Sequence, residues 1–428
     1  MSQIVFLFLM VVLFMLGIPV VISLGLTSVL MMYVKGGIKW ATIVQQMIGG
    51  LNTFTLLAVP MFLLAGKLMN SSGTTDRLFD FAKKMVGWLP GGLAHVNIVS
   101  SIIFAGMSGT AVSDASGLGI IEIRAMNQAG FDKEFSASVT AASSTVGPII
   151  PPSLPLVVYG TISGASVGAL FMAGILPGIL MALTMMAVTF VYALVKHYPR
   201  EAFPTGKEIG IAFKEGFLPL MAPVIILVGI YTGVYTPTES AAIVVFYSLF
   251  LGVAVYRELT LKDLYGILVD SVMDASTIGI LVASATLFGM CMVRALIPQT
   301  ILGIVTESVT GKVQLLLIVN LFLLVVGMFM ETTSAITILT PVLLPLLAAF
   351  DVNLVQFGIV MVLNLMIGVL SPPFGLVLFV TSRIGEVPVQ RLARALLPWI
   401  GALMVALALI TFLPEISLFL PRALGLSV

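Results

Sequence analysis

The chain has 428 residues, 59% of them hydrophobic and 9% charged, whereas soluble domains carry about 25% charged residues, so a soluble fold is excluded. A formal net charge of +1 leaves no basic face for phosphate and excludes a nucleic-acid partner. The single cysteine, Cys291, allows no intramolecular disulfide and no thiolate-built zinc or iron–sulfur site, and His95 and His197 complete a poor metal inventory.

Apolar runs long enough to cross a hydrocarbon core, about 20 residues each, recur from residue 3 to residue 413 with only loops between them. This pattern predicts one all-α polytopic membrane domain over 1–428. The opening MSQIVFLFLMVVLFMLGIPV lacks the basic start and small-residue cleavage site of a secretory signal, so it reads as a retained first span. Residues 75–88 place Leu78, Phe79, Phe81 and Trp88 beside Lys83 and Lys84, the signature of an interfacial amphipathic helix bracing a scaffold.

Residues 93–126 are mostly apolar but are interrupted by Gly106, Ser108, Gly109, Thr110 and Asp114. At about 1.5 Å per residue neither arm spans a bilayer, which predicts a re-entrant hairpin turning near 108–110. Irregular backbone at that depth is tolerated only where it is buried in protein or lines a cavity. A broken helix is predicted over 136–162, where Gly147 to Pro151 opens GPIIPPS. Proline lacks an N–H and expels the carbonyl one turn earlier from the ladder, which frees oxygen at Gly147.

The second half repeats this order. GMFMETTSA begins at Gly327 and GVLSPPF at Gly368, 41 residues apart like Gly106 and Gly147, and the offset between halves is 221. The same offset pairs Met107 with Met328, Pro151 and Pro152 with Pro372 and Pro373, and Pro177 with Pro398; upstream, an offset of 223 pairs Gly66 with Gly289, Met69 with Met292 and Asn97 with Asn320. Chance agreement among Gly, Pro and Met in an oily chain does not explain a gapless alignment. The repeat predicts a second hairpin over 313–347, turning near 328–333, and a second broken helix over 356–381 with oxygen freed at Gly368. The first repeat core then covers 51–195, linker spans and scaffold 196–276, and the second core 277–413.

Cytoplasmic loops hold the Lys and Arg excess. If the first hairpin enters from the cytoplasm and the second from outside, inner loops receive 14 of the 20 basic residues, while Lys35, Lys39, Lys312 and Arg422 lie outside and Lys67 and Arg294 lie in spans. The loop around 125–135 is basic and its counterpart around 346–356 has no Lys or Arg, so the repeats are predicted to be inverted. Such repeats recur in secondary transporters, with sites near the midplane where discontinuous helices meet.

FAGMSGTAVSDASG, STVGPIIPPS, YTPTESAA and GVLSPPFG, taken in this order and spacing, resemble the large membrane subunit of TRAP transporters, the tripartite ATP-independent periplasmic carriers. The resemblance covers essentially the whole chain. It implies an elevator-type carrier of the bacterial inner membrane, driven by two or more sodium ions. A periplasmic substrate-binding protein and a separate small four-helix membrane subunit are the implied partners, and the implied substrate is an organic acid: sialic acid first, a C4-dicarboxylate or another sugar acid as alternatives. It also implies a first sodium site between the tip around Ser108 and Thr110 and the broken helix from Gly147 to Pro151. A second lies between Gly327, Glu331 and Thr332 on one side and Gly368 to Ser371 on the other. Substrate would sit between the tips, near Ser108, Thr110, Thr332 and Thr333.

Ionisable residues inside a membrane cost about 2.5 to 3.5 kcal/mol on insertion scales and need partners. Glu331 is read either as a sodium ligand or as a helix cap, and Asp114 as orienting the first tip, binding substrate or capping. Arg294 either pairs with a substrate carboxylate or Glu331, or snorkels to the headgroups. Thr236-Pro237-Thr238-Glu239 reads as a capping box.

An enzyme is the rival reading, because Gly106-Met107-Ser108-Gly109 fits the Gly-x-Ser-Gly pattern of an intramembrane serine protease. His95 is 13 residues from Ser108 in the same arm, about 20 Å along a helix, and His197 lies in a polar loop. No base is therefore in reach of the serine. A passive channel is the third reading. No phosphate-binding Gly-x-x-x-x-Gly-Lys-[Ser/Thr] loop occurs.

Overall fold

Threonines followed three residues later by an acid start three of the helices. Thr205 with Glu208, Thr236 with Glu239 and Thr260 with Asp263 each form a reciprocal capping box in which side chain and backbone exchange hydrogen bonds. Glu239 is thereby assigned to helix initiation: its Oε2 accepts the Thr236 N–H at 2.7 Å. These features belong to a computed structural model that describes residues 8–10, 12, 13, 16, 18–35, 40–309, 311–372 and 375–428. The expected first span falls largely outside the described residues.

Among the described residues the structure is helical, with no strand. In chain order the helices are α1 (Val20–Lys35), α2 (Trp40–Leu51), α3 (Ala58–Ser71), α4 (Thr74–Val86), α5 (Gly92–Ser108), α6 (Ala111–Ser116) and α7 (Leu118–Gln128). They continue with α8 (Lys133–Ser144), α9 (Leu154–Ser163), α10 (Val167–Lys196), α11 (Gly206–Tyr231), α12 (Pro237–Leu249) and α13 (Leu261–Arg294). The last are α14 (Ile297–Ser308), α15 (Lys312–Gly327), α16 (Thr332–Ala349), α17 (Leu354–Gly368), α18 (Leu376–Ile384), α19 (Val389–Phe412) and α20 (Glu415–Ala423). Seven of the described helical stretches are long and apolar enough to cross a membrane.

Two groups of helices pack together. An outer frame joins α1, α2, α3, α4, α11, α12 and α13, and an inner group gathers around α8, α10 and α17. The frame includes α4, whose Leu78, Phe79 and Ala82 are buried. Its charged edge is tied down by ion pairs from Arg77 to Glu258 (3.0 Å), Lys83 to Glu201 (2.9 Å) and Lys84 to Glu208 (3.3 Å).

The inner group owes its order to more than apolarity, since lipid is as apolar as leucine and close packing and interhelical hydrogen bonds must hold membrane helices together. Every residue of α17 from Val355 to Gly368 is buried, as expected of a helix that is hydrophobic all round. Its few polar groups are spent on neighbours: the Gln356 amide donates to Ile410 O and Thr411 O at 3.1 and 2.9 Å. Trp399, fully buried on α19, donates its indole N–H to Ser138 on α8 at 3.0 Å. Tyr159 on α9 reaches across the halves, and its hydroxyl donates to Leu354 O at 2.8 Å.

Candidate functional site

Four helix interruptions converge in the inner group. The first lies at Gly109 and Thr110, between α5 and α6. Gly109 adopts φ +60°, and Thr110 is the extended N-cap whose hydroxyl accepts the Ser113 N–H at 3.3 Å. A Cβ at Gly109 would come within 3.2 Å of Pro152 O and 3.4 Å of Leu154 N. The left-handed φ and this close approach both require glycine, and the approach shows that the first tip rests on the interruption at 145–153 between α8 and α9. A further interruption at Gly117, between α6 and α7, is not signalled by the hairpin pattern.

The second pair of interruptions mirrors the first. Residues 328–331 separate α15 from α16, and residues 369–375 separate α17 from α18. Gly327 and Gly368 pack backbone to backbone, for a Cβ on Gly368 would stand 2.4 Å from Gly327 Cα. The halves also exchange arms: α6 packs on α18, and α16 packs on α9.

Where the tips face each other there is a cavity of about 30 Å³, lined among others by Thr110, Pro148, Glu331, Thr332, Thr333 and Met366. A space of this size holds an ion or a water, not an organic acid. Its polar side chains are three threonine hydroxyls and one carboxylate, oxygen donors of the type that hard cations prefer, set among apolar Met366, Val369, Leu376 and Val377. Glu331 carries the nearest charge and also caps α16, its Oε2 accepting the Ser334 N–H at 2.9 Å and facing the Ser334 hydroxyl at 3.3 Å. Capping uses part of the carboxylate's capacity, because an ionised carboxylate offers about four acceptor positions.

The residues singled out in the sequence divide as follows. Thr110, Glu331, Thr332 and Thr333 are brought together at the cavity, and Pro148 places the Gly147 end of the first break beside them. The side chain of Ser108, at the end of α5, lies outside the described residues. Ser371 is buried at the second break, where its hydroxyl donates to Ile367 O at 3.0 Å. Gly368 departs from expectation: its carbonyl accepts the Ser371 N–H at 2.9 Å, because the chain tightens into a turn before Pro372 and recovers that bond. Pro151 lines a separate apolar cleft with Ile102, Phe213 and Phe217.

Two charged candidates are elsewhere. Arg294 is exposed at the end of α13, and Asp114 is buried one turn inside α6; neither lines the cavity. Asp114 is not a cap, since Thr110 takes that position.

Sequence reasoning passed over three features. Glu122 on α7 is buried to 1% exposure, and its signal was a lone acid in the apolar run GLGIIEIRA. Lys67 on α3 pairs with Asp274 on α13 at 2.6 Å, a partner that distance in sequence concealed. A cleft of about 510 Å³, lined among others by Gln46, Thr53, Thr161, Thr286 and Thr337, opens among frame helices α2 and α13 and inner helices α9 and α16, although α13 and α16 also pack together.

Among curated proteins, the sialic acid TRAP transporter large permease protein SiaM of Vibrio cholerae is 42% identical, over 95% of each chain. The C4-dicarboxylate TRAP transporter large permease protein DctM of Pseudomonas aeruginosa is 38% identical, over 87% of this chain and 88% of that one. Among solved structures, the YdaH transporter of Alcanivorax borkumensis superposes with a TM-score of 0.65 at 13% identity, covering 87% of this chain and 86% of that one, which speaks to fold alone. The family described as "Tripartite ATP-independent periplasmic transporter, DctM component" matches residues 7–416. Helices long enough to span, a fold shared with a transporter and this match over nearly the full length establish that the chain is a multi-pass membrane protein belonging to the DctM family of tripartite ATP-independent periplasmic transporters.

Proposed function

We propose that this chain is the large subunit of a sodium-coupled importer of an organic acid, with sialic acid as the substrate of first choice. The observation that carries the reading is the small cavity where both tips meet, to which one half contributes Thr110 and the other Glu331, Thr332 and Thr333 among otherwise apolar neighbours. The identity to a sialic acid permease supports the substrate class, and C4-dicarboxylate is the second reading because a permease of that name is nearly as similar.

In this reading the two halves are inverted repeats whose tips enter from opposite sides of the bilayer. Support comes from the asymmetry of basic loops and from the exchange of α6 and α16 between halves. Sodium binds at each tip against its broken helix: Ser108, Gly147 and Pro151 in the first half, and Gly327, Glu331, Thr332, Gly368 and Ser371 in the second. The hydroxyls of Thr110 and Thr333 face the substrate once the tips part. The inner group moves as an elevator against the frame, which the open cleft between α2, α13, α9 and α16 would accommodate. A small four-helix membrane subunit completes the frame and a periplasmic binding protein delivers the acid, which sets the location as the bacterial inner membrane.

Two sodium ions entering with one monovalent acid carry a net charge inward, worth about 2.3 kcal/mol per 100 mV. That charge alone sustains about 50-fold accumulation, since every 1.4 kcal/mol is tenfold. The test is uptake of labelled N-acetylneuraminate and of labelled succinate into vesicles holding the large and small subunits, with binding protein outside. Sodium-dependent, voltage-sensitive uptake of one acid is expected. Uptake that persists after the sodium gradient is collapsed would overturn the coupling.

A further inference from the structure

The cleft of about 510 Å³ shares Thr53 and Thr161 with a second cavity of about 420 Å³, lined among others by Thr55, Ser166, Thr236 and Thr238, so the two adjoin. The lining of the second cavity comes from the chain before α3, between α9 and α10 and before α12. Each of these helices runs from there toward a basic segment: α3 toward Arg77, α10 toward Lys196 and α12 toward Arg257. Basic loops mark the cytoplasm, so this mouth opens on the outer side.

At its other end the cleft approaches the tips. Thr337 lines it and donates its hydroxyl to Thr333 O at 2.6 Å, and Thr333 lines the cavity between the tips. One turn of α16 therefore separates a space sized for an ion from one sized for an organic molecule, since small-molecule pockets run to about 300–1,000 Å³.

The polar groups around the cleft are not interchangeable. A hydroxyl has one proton to give and two lone pairs. Thr161, Thr286 and Thr337 give theirs to Val157 O, Val282 O and Thr333 O at 2.8, 2.8 and 2.6 Å, which leaves them acceptors only. Donors lie on the frame: Thr53 Oγ1 has no hydrogen-bond partner, and the Gln46 amide belongs to the same wall. Arg294 is exposed at the outer end of α13, where it continues the row Val282, Thr286 and Met290 by one turn. It stands about 12 Å along the helix from Thr286. Neither cavity is lined by an acid among the described residues. Acceptors on several walls with donors toward one side suit a molecule that carries several hydroxyls and one carboxylate. An unsubstituted dicarboxylate has no hydroxyl to offer those acceptors.

We propose that this cleft is an entry site, which holds a polyhydroxylated monocarboxylic acid on the outer side of the tips before they part and does so without sodium. This deepens the function proposed above and rests on it. Arg294 draws the carboxylate to the rim, Gln46 and Thr53 receive it, and Thr161, Thr286 and Thr337 accept from the hydroxyls.

The first test uses the complete transporter in right-side-out vesicles, with Cys291→Ser removing the only native thiol and Thr161→Cys placing one in the cleft. A charged, membrane-impermeant thiol reagent added outside is expected to label it. In sodium-free buffer, N-acetylneuraminate should slow labelling several-fold and succinate should not. Absence of labelling from outside, or labelling that neither acid slows, overturns the site, and equal protection by succinate overturns the substrate class. Should the variant fail to fold, the unmodified transporter answers through equilibrium binding of labelled N-acetylneuraminate without sodium. Saturable binding of one molecule per transporter, indifferent to succinate, supports the site, and no binding overturns it. Failure of the parent reading is separate, because the unmodified transporter would then take up no acid even with sodium and the binding protein present.

Discussion

The side-chain amide of Asn364 donates a 2.6 Å hydrogen bond to Asn320, joining α17 to α15. The first half makes the equivalent bond from the Ser143 hydroxyl to Asn97, also 2.6 Å, joining α8 to α5. Residues 97 and 320 correspond by the offset of 223, and 143 and 364 by the offset of 221. In each half the helix before the first interruption is thus joined to the helix before the second by a polar bond at a corresponding position.

Replacing Asn320 by Ala removes the acceptor and leaves a buried amide with less to bond. Losing one partner of a buried pair costs about 1–3 kcal/mol in soluble proteins, and interhelical bonds in membranes average about 0.6 kcal/mol, so about 1 kcal/mol is expected. Thermal unfolding of the purified chain in detergent checks this, and Asn97→Ala should lower the midpoint in the same way. An unchanged midpoint in both would mean that packing alone holds the arms.

Gly368→Ala would set a methyl 2.4 Å from Gly327 backbone atoms, with no flexible side chain available to yield. Overpacking of this kind costs about 1–3 kcal/mol or more, and the second tip should part from its broken helix, with transport lost. Gly266→Ala is the control: nothing lies within 4 Å of its new methyl, and helix propensity should make it neutral or stabilising by about 0.5–1 kcal/mol. Melting and uptake of the two variants, run side by side, distinguish a local clash from a general intolerance of methyl groups.

Glu331 performs two tasks that substitution can separate. Gln retains an oxygen for the Ser334 N–H but loses the charge, whereas Ala loses both. Glu331→Gln should keep the melting midpoint and raise the sodium concentration for half-maximal uptake about tenfold, corresponding to about 1.4 kcal/mol. Glu331→Ala should show the same rise plus about 1 kcal/mol of lost stability from the missing cap. Sodium titrations that coincide for all three proteins would reduce Glu331 to a cap.

Outside the membrane, the Lys133 ammonium bonds to Glu386 at 2.8 Å and holds that carboxyl below its usual 4.5, first through the hydrogen bond and then through charge. A group with a folded-state value below its unfolded one adds stability that is full above the unfolded value and is lost as pH falls through the folded one. Lys133→Met should therefore lower the melting midpoint slightly at neutral pH, with the difference vanishing as pH falls below about 4.5. Both side chains are exposed, so salt should also diminish the difference.

Much of the helical layout was legible because it is local. Gly109 ends α5 through its own positive φ, Thr110 and Ser153 cap the helices that follow, and glycine–proline runs at 147–152 and 368–372 interrupt the ladder wherever they are placed. The repeat offset was legible for the same reason, since residues that punctuate a helix do so in either half. Glu239 was equally readable, its partner being three residues away.

What the amino-acid sequence by itself determined about this protein is its membrane class, its repeat and the positions where helices stop, all set by interactions within a few residues. Tertiary structure alone decided that Thr110 and Glu331 share a cavity, that Lys67 finds Asp274 and that Asp114 and Glu122 are buried away from that cavity. These relations join helices far apart in the chain, and whether a carboxyl faces a cavity, a lysine or another carboxyl depends on how those helices pack. The physical reason is range: capping and chain breaks act over one turn, while the burial of a charge is a property of everything around it.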